Sequence, residues 1–275
     1  MEMTMTDDYQ ASRAVSKLLQ VGAQSLWANA EPYPFIIVDD WLDSNWADEV
    51  HNEILQAPTN LQSNDFVFAK AKFENPDFAL FGPGCSALHS LLIGTAFSDA
   101  LSKITGQDLI IDPTFLGGGV HRGGRGSYLD MHTDFLEHPN KPNLHRRLNI
   151  LLYLNKNWEK GWGGDLRLRH IEEGETFSIP PIFNRLVIME SSEVTLHGYT
   201  KINIPEGRFR TSVAAYAYSS ELSSGGRSFT TWYPEKSSIR RLIAQFLPMA
   251  ISLKRRFFGS RTASRSAEEK QKIDE

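Results

Sequence analysis

One cysteine, Cys85, stands in 275 residues, which excludes an intramolecular disulfide and any cysteine-based zinc site. A single thiol also fits a reducing compartment. No stretch of about 18 apolar residues occurs, so no segment reads as a membrane-spanning helix. Charge of one sign is missing too. The 29 basic and 33 acidic residues leave a formal net charge of -4, and no overall basic field favours nucleic acid. The opening MEMTMTDDYQ is acidic and lacks the charged-then-apolar layout of a secretory signal, so the expected location is cytoplasmic. There is no internal repeat. GGGVHRGGRGS at 117–127 lacks G-x-G-x-x-G, and its nearest Walker-like frame, Gly119 to Gly124, runs into Arg125 and Gly126 instead of Lys and Ser/Thr.

What is present is 41% hydrophobic and 23% charged, the balance of a globular protein. Residues 9–29 carry Val15, Leu18, Leu19 and Leu26 near a 3.6 spacing and predict a helix, which Pro32 and Pro34 end. PFIIVDDWL at 34–42 predicts a buried strand entering a turn. Ser44 is placed to cap a helix bearing Trp46, Val50, Ile54 and Leu55. Residues 58–86 are irregular, and 87–106 predict a further helix that stops at Gly106.

From 108 the pattern changes to short strands: DLIIDPTFL, YLDMHTDF, RLNILLYLN, GDLRLRH, TFSI, RLVIMES, EVTLHGY and RTSVAAYAYS, with Gly and Pro turns between them. Many short strands in succession predict a jelly roll or a related sandwich. The expected division is a helical and strand support region over 1–107, a β core over 108–235, and a basic amphipathic helix with a polar tail over 236–275. In that last part Ile239, Leu242, Ile243, Phe246, Ala250 and Leu253 share one stripe, interrupted by Pro248. The stripe suits packing on the domain, an anionic membrane surface or a protein partner through 238–258.

In YLDMHTDF, His132 and Asp134 stand two apart, and in a strand such positions point to the same face. The pair alone says little. The chain also contains His51-Asn-Glu53, on a predicted helix where i and i+2 do not share a face, and His170-Ile-Glu172, at a strand end. His197, in TLHGY far downstream, is a candidate third ligand on a distant strand. Two histidines and one carboxylate on one face of an iron leave three positions open, the set used by non-haem Fe(II) oxygenases. Arg210 and Ser212 then share a strand face, and an arginine beside a hydroxyl can hold a dicarboxylate. Arg208 lies on that face as well, so spacing leaves two arginines in contention.

Residues 108–219 resemble the prolyl 4-hydroxylase-like branch of the 2-oxoglutarate/Fe(II)-dependent dioxygenases. The pieces are H-T-D at 132–134, R-R-L-N-I-L-L-Y-L-N at 146–155, W-E-K-G-W-G-G-D-L at 158–166, N-R-L-V-I at 184–188, H-G at 197–198 and R-T-S at 210–212, with PFIIVDDWL similar to the opening strand of that domain. The resemblance implies a mainly β fold with flanking helices around a double-stranded β-helix (jelly roll/cupin-like) core. It implies an enzyme that hydroxylates an unactivated C–H bond in a prolyl residue or a small metabolite, with succinate and CO2 as co-products. Fe(II), 2-oxoglutarate and O2 are the implied requirements, with ascorbate a further candidate.

By the same resemblance His132, Asp134 and His197 bind iron. Arg210 with Ser212 holds the distal carboxylate of 2-oxoglutarate, and Tyr153 contacts it. Relatives often carry a tyrosine three residues before the first histidine. Here that position is Leu129, and the adjacent Tyr128 should face away. Asp134 argues against halogenation, because related halogenases lack a carboxylate there.

Two other readings compete. One is a non-redox cupin-like protein using the same metal face for sugar binding or isomerisation, and the other a degenerate binding module tethered by the C-terminal helix. Arg210 and Ser212 after His197 favour the oxygenase. The glycine-rich 117–127 stretch is expected to be a mobile loop at the site entrance, with Arg122 and Arg125 meeting an anionic part of the substrate. LEHPNKPNLHRR at 136–147 is expected to be a covering loop with His138 and His145 solvated. Trp158 and Trp162 are expected to pack beside Gly163 and Gly164.

Overall fold

The computed structural model describes residues 5–20, 22–57, 68–172, 174–221, 229–235 and 239–244. Both long helical stretches expected before residue 108 break at a glycine. α1 (Met5–Gln20) is followed by Gly22 at φ 63°, a conformation that strains any side chain, and α2 (Ala23–Ala28) starts afresh. α3 (Ser44–Gln56) is capped one residue earlier than expected, by the Asp43 carboxylate, which accepts from the Asn45 N–H at 3.0 Å. α4 (Pro83–Ile93) and α5 (Thr95–Thr105) meet at Gly94, in extended backbone. Trp41 and Trp46 are buried, yet their indole N–H groups donate to the carbonyls of Ala14 and Gly84, each at 3.0 Å, so burial strands no donor there. Leu26 and Leu55, on the expected apolar stripes, remain exposed.

The strands are β1 (Phe35–Val38), β2 (Ala69–Asn75), β3 (Ile110–Ile111), β4 (Gly119–Thr133), β5 (Glu137–His138), β6 (Lys141–Tyr153), β7 (Leu166–His170), β8 (Phe177–Ile179), β9 (Arg185–Glu190), β10 (Thr195–Tyr199), β11 (Arg210–Ser219) and β12 (Thr231–Trp232). Their main path is β1-β9-β6-β11-β4-β10-β7-β8, and the neighbouring pairs along it are antiparallel.

Period-two alternation sorts each strand between two cores. Leu148, Ile150 and Leu152 of β6, Leu186 and Ile188 of β9, and Val213 and Ala215 of β11 pack under the helices. The intervening Tyr153, Val187 and Met189 face inward, where they meet Leu166, Leu168 and Ile179 from β7 and β8. The long β4 joins the two sides, its first half paired with β11 and its second with β10. The fold is a double-stranded β-helix with flanking helices.

Two expected loops are strands. Most of 117–127 belongs to β4, which lies between β11 and β2. Its glycines serve close approach. At Gly119, φ 83°, a Cβ would fall 2.1 Å from the Asn75 carbonyl oxygen, so only glycine lets β2 close on β4. Residues 136–147 form the β5–β6 hairpin, and His138 and His145 are buried rather than solvated. Of the expected helix at 238–258, residues 239–244 are helical, and the rest lies outside the described residues. No helix among the described residues is long and apolar enough to cross a membrane.

Candidate active site

His132 of β4 sits directly opposite His197 of β10, and directly opposed residues share a face. The next residue, Gly198, is where β10 presses onto β4. A Cβ there would lie 2.7 Å from the Leu129 carbonyl oxygen and 2.8 Å from that of Asp130. The missing side chain lets the imidazole centroids come within 4.3 Å. Asp134 follows the end of β4, with Oδ1 3.4 Å from His132 Nε2 and Oδ2 3.5 Å from His197 Nε2. Ligand atoms from the three side chains all lie within 4.8 Å of one another. Neither His51 nor His170 lines this cavity.

The hydrogen bonds around the triad suit a cation. His132 Nδ1 is 2.9 Å from the Asp130 carbonyl oxygen, which can only accept, so Nδ1–H donates and Nε2 is the nitrogen turned toward the carboxylate, where it can ligate a metal. Oδ2 of Asp134 is held by Asn149 Nδ2 at 2.7 Å and Arg146 Nη1 at 3.1 Å. Oδ1 is thereby left toward His132. Burial alone would raise the Asp134 pKa, but the charges of His197 and Arg146 overcome it and hold the carboxyl well below its usual range. Arg146 is clasped by the Tyr216 and Phe135 rings, its guanidinium carbon 3.7 and 4.0 Å from their centroids. The set fits a divalent ion with partners that orient its carboxylate.

At the other end of the same cavity stands Arg210. Its Nε donates to the Gly164 carbonyl at 2.6 Å and its Nη2 to the Tyr153 hydroxyl at 3.0 Å, while its guanidinium lies 4.3 Å from the Tyr199 centroid. Gly164 hands over that carbonyl at φ 73°, and Trp158 and Trp162 pack beside this turn, edge to face at 5.4 Å. Arg208 points elsewhere. It donates to the Lys156 carbonyl at 2.9 Å and lies over Trp162. Burial raises the Tyr153 pKa, opposed by Arg210.

The cavity has Ser212 beside Arg210 and apolar walls from Leu129, Leu151, Leu166 and Met189. That mixture of apolar walls and a few polar groups suits a small-molecule site.

Sequence reasoning placed Tyr128 away from the site, and its ring indeed holds Arg240, while Leu129 lines the cavity. Arg122 pairs across from Thr211 and lines the cavity, with its guanidinium carbon 4.1 Å from the Phe209 centroid. Sequence reasoning missed Asn149, although counting back by two from Tyr153 through Leu151 reaches it. It also missed Arg146, which a bulge between Ala217 and Tyr218 returns to the inner face, and Tyr199, whose hydroxyl bonds Ser127 Oγ at 2.8 Å.

Residues 118–218 match the sequence profile of the 2OG-Fe(II) oxygenase superfamily. The matched stretch includes both ends of the cavity, from β4 through β11. Among curated proteins, prolyl 3-hydroxylase OGFOD1 of Mus musculus is 26% identical over 221 residues, covering 78% of this chain and 38% of that protein. The chain therefore spans well under half of that relative's length. Among solved structures, a prolyl 4-hydroxylase from Phytophthora capsici superposes with a TM-score of 0.54 at 18% identity, covering 79% of this chain and 66% of that one. SnoN, a non-heme alpha-ketoglutarate-dependent epimerase from nogalamycin biosynthesis, gives 0.50 at 11% identity over 80% of this chain and 89% of its own. At these identities the two structures speak for the fold.

Proposed function

We propose that the chain is a 2-oxoglutarate- and Fe(II)-dependent oxygenase that hydroxylates an unactivated C–H bond, with a prolyl residue in a polypeptide as the substrate class. The observation that carries the reading is one cavity with His132, Asp134 and His197 at one end and Arg210 with Ser212 at the other. The superfamily match and the prolyl hydroxylase relative support it. Bound together, Fe(II), 2-oxoglutarate and O2 supply a two-electron oxidation in which the oxo acid leaves as succinate and CO2 and one oxygen atom passes to the substrate.

The residues of the chain bind, orient and exclude water. His132, His197 and Asp134 would hold the metal, with Asn149 and Arg146 keeping the carboxylate in place. Arg210 and Ser212 would take the distal carboxylate of the co-substrate, and Tyr153 acts through Arg210 by holding its Nη2. Tyr199 flanks the guanidinium and closes the polar end of the cavity. Leu129, Leu151, Leu166 and Met189 keep bulk water from the reacting atoms. A non-redox cupin-like role would leave the Arg210 pocket without a task.

The test adds Fe(II) and 2-oxoglutarate to the protein without oxygen, then admits air. A metal-to-ligand charge-transfer band followed by succinate release is expected, and the absence of both from folded, iron-loaded protein rejects the reading. Proline-containing peptides should stimulate succinate release more than free proline does. The reverse order would move the substrate class to small metabolites.

A further inference from the structure

β12 extends the metal-facing row by one strand. The register sets Leu168, His197, His132 and Trp232 opposite one another across β7, β10, β4 and β12, so the four share the inner face. Trp232 lies beyond the superfamily match, which ends at residue 218. Its indole stacks on the His132 imidazole, centroids 4.8 Å apart and planes 29° apart, and on the buried Phe68 ring at 5.1 Å and 22°.

A two-residue strand has little of its own to hold it. Here the following residues clasp the sheet. Glu235 reaches Arg167 Nη1 at 2.5 Å and Arg169 Nη1 at 3.0 Å. These arginines alternate with the inward Leu166 and Leu168 and so lie on the outer face of β7. Arg240 ion-pairs with the side chain of Asp130, the residue whose carbonyl fixes His132 Nδ1.

We propose that Trp232 is a positioning residue for the metal site, and that Glu235 and Arg240 anchor the strap that carries it. Trp232 restricts the His132 ring while the Asp130 carbonyl sets which nitrogen faces the metal. The inference rests on His132 being a ligand. Partners that orient a ligating histidine typically change metal affinity by about 10–100-fold when removed.

Titration of the full chain with Co(II), without co-substrate, tests this. Trp232→Ala is expected to weaken Co(II) binding by about ten-fold or more, Trp232→Phe to restore it to within about three-fold, and Glu235→Gln to fall between them. Quenching of tryptophan emission by Co(II) should shrink in Trp232→Phe, a readout that general loss of packing does not predict. Melting temperatures of the metal-free variants separate positioning from folding, and Glu235→Gln carries the test if Trp232→Ala does not fold. Wild-type protein that fails to bind Co(II) removes the metal-site reading and this inference with it. Wild-type protein that binds, alongside Glu235→Gln and Trp232→Ala variants of equal affinity, overturns the inference alone.

Discussion

Two carboxylates in this chain, buried Asp112 and partly buried Asp134, each touch a histidine, and their surroundings give them different work. Asp112 receives Lys141 Nζ on Oδ1 at 2.9 Å and His138 on Oδ2 at 3.1 Å, with the Thr114 hydroxyl also on Oδ2. His138 Nδ1 accepts from the Asn140 N–H at 3.1 Å, so its Nε2 carries the proton that Asp112 receives. That cluster is internally satisfied. Asp134 faces two imidazoles beside a cavity, and because the Asp130 carbonyl takes the Nδ1 proton of His132, the nitrogen turned toward Asp134 is the one that can ligate a metal. A histidine beside an aspartate is thus a pairing or a metal face according to where the far ring nitrogen bonds.

Substitutions can break this contrast, and the largest effect belongs to the metal face. Asp134→Ala should abolish both iron retention and succinate release, read by metal content and turnover on protein that still melts cooperatively. Arg210→Ala, at the other end of the cavity, should raise KM for 2-oxoglutarate by about 10–100-fold, the worth of charge-assisted hydrogen bonds. Arg208→Ala should leave it within about two-fold, because that exposed side chain donates to the Lys156 carbonyl and packs over Trp162, away from the cavity. Equal effects of the two arginines would erase the distinction their geometry draws. Asn149→Ala frees one side of the Asp134 carboxylate and should weaken metal binding by about ten-fold, measured by titration.

The smallest effect on the metal, none, is expected from Asp112→Asn. Its effect is on stability. Burial opposes ionisation of Asp112, but the Thr114, Lys141 and His138 hydrogen bonds win and lower its pKa from 3.8 to about 2. A folded-state pKa below the unfolded one stabilises the fold above the ordinary carboxylate range, and the contribution fades as pH falls through the folded value. Removing the charge should therefore cost about 2 kcal/mol at neutral pH and flatten the acid limb of the melting temperature between roughly pH 4 and pH 2. A wild-type acid limb in Asp112→Asn would show that other carboxylates set it.

Much of this was legible in order and period. Alternation in RLNILLYLN and RTSVAAYAYS located β6 and β11 and sorted their faces, because the side-chain period of a strand is two regardless of its neighbours. The His132, Asp134 and His197 grouping was legible as well, from residue type and strand setting. The glycines of 117–127 misled. Glycine marks a turn and a tight strand approach alike, and only the presence of β2 against Gly119 tells them apart. His138 and His145 misled for a related reason, since a Pro- and Asn-rich stretch reads as a loop until a hairpin closes over it. Trp232 offered no periodic signal in a two-residue strand.

The amino-acid order by itself determined the strand grammar, the three candidate ligands and the two candidate arginines that follow them, because these depend on local period and residue chemistry. Tertiary structure decided which arginine enters the cavity, which nitrogen of His132 faces Asp134, and which residues surround them. Those outcomes turn on register, on a bulge and on contacts between residues distant in the chain. One-residue shifts there exchange the two faces of a strand.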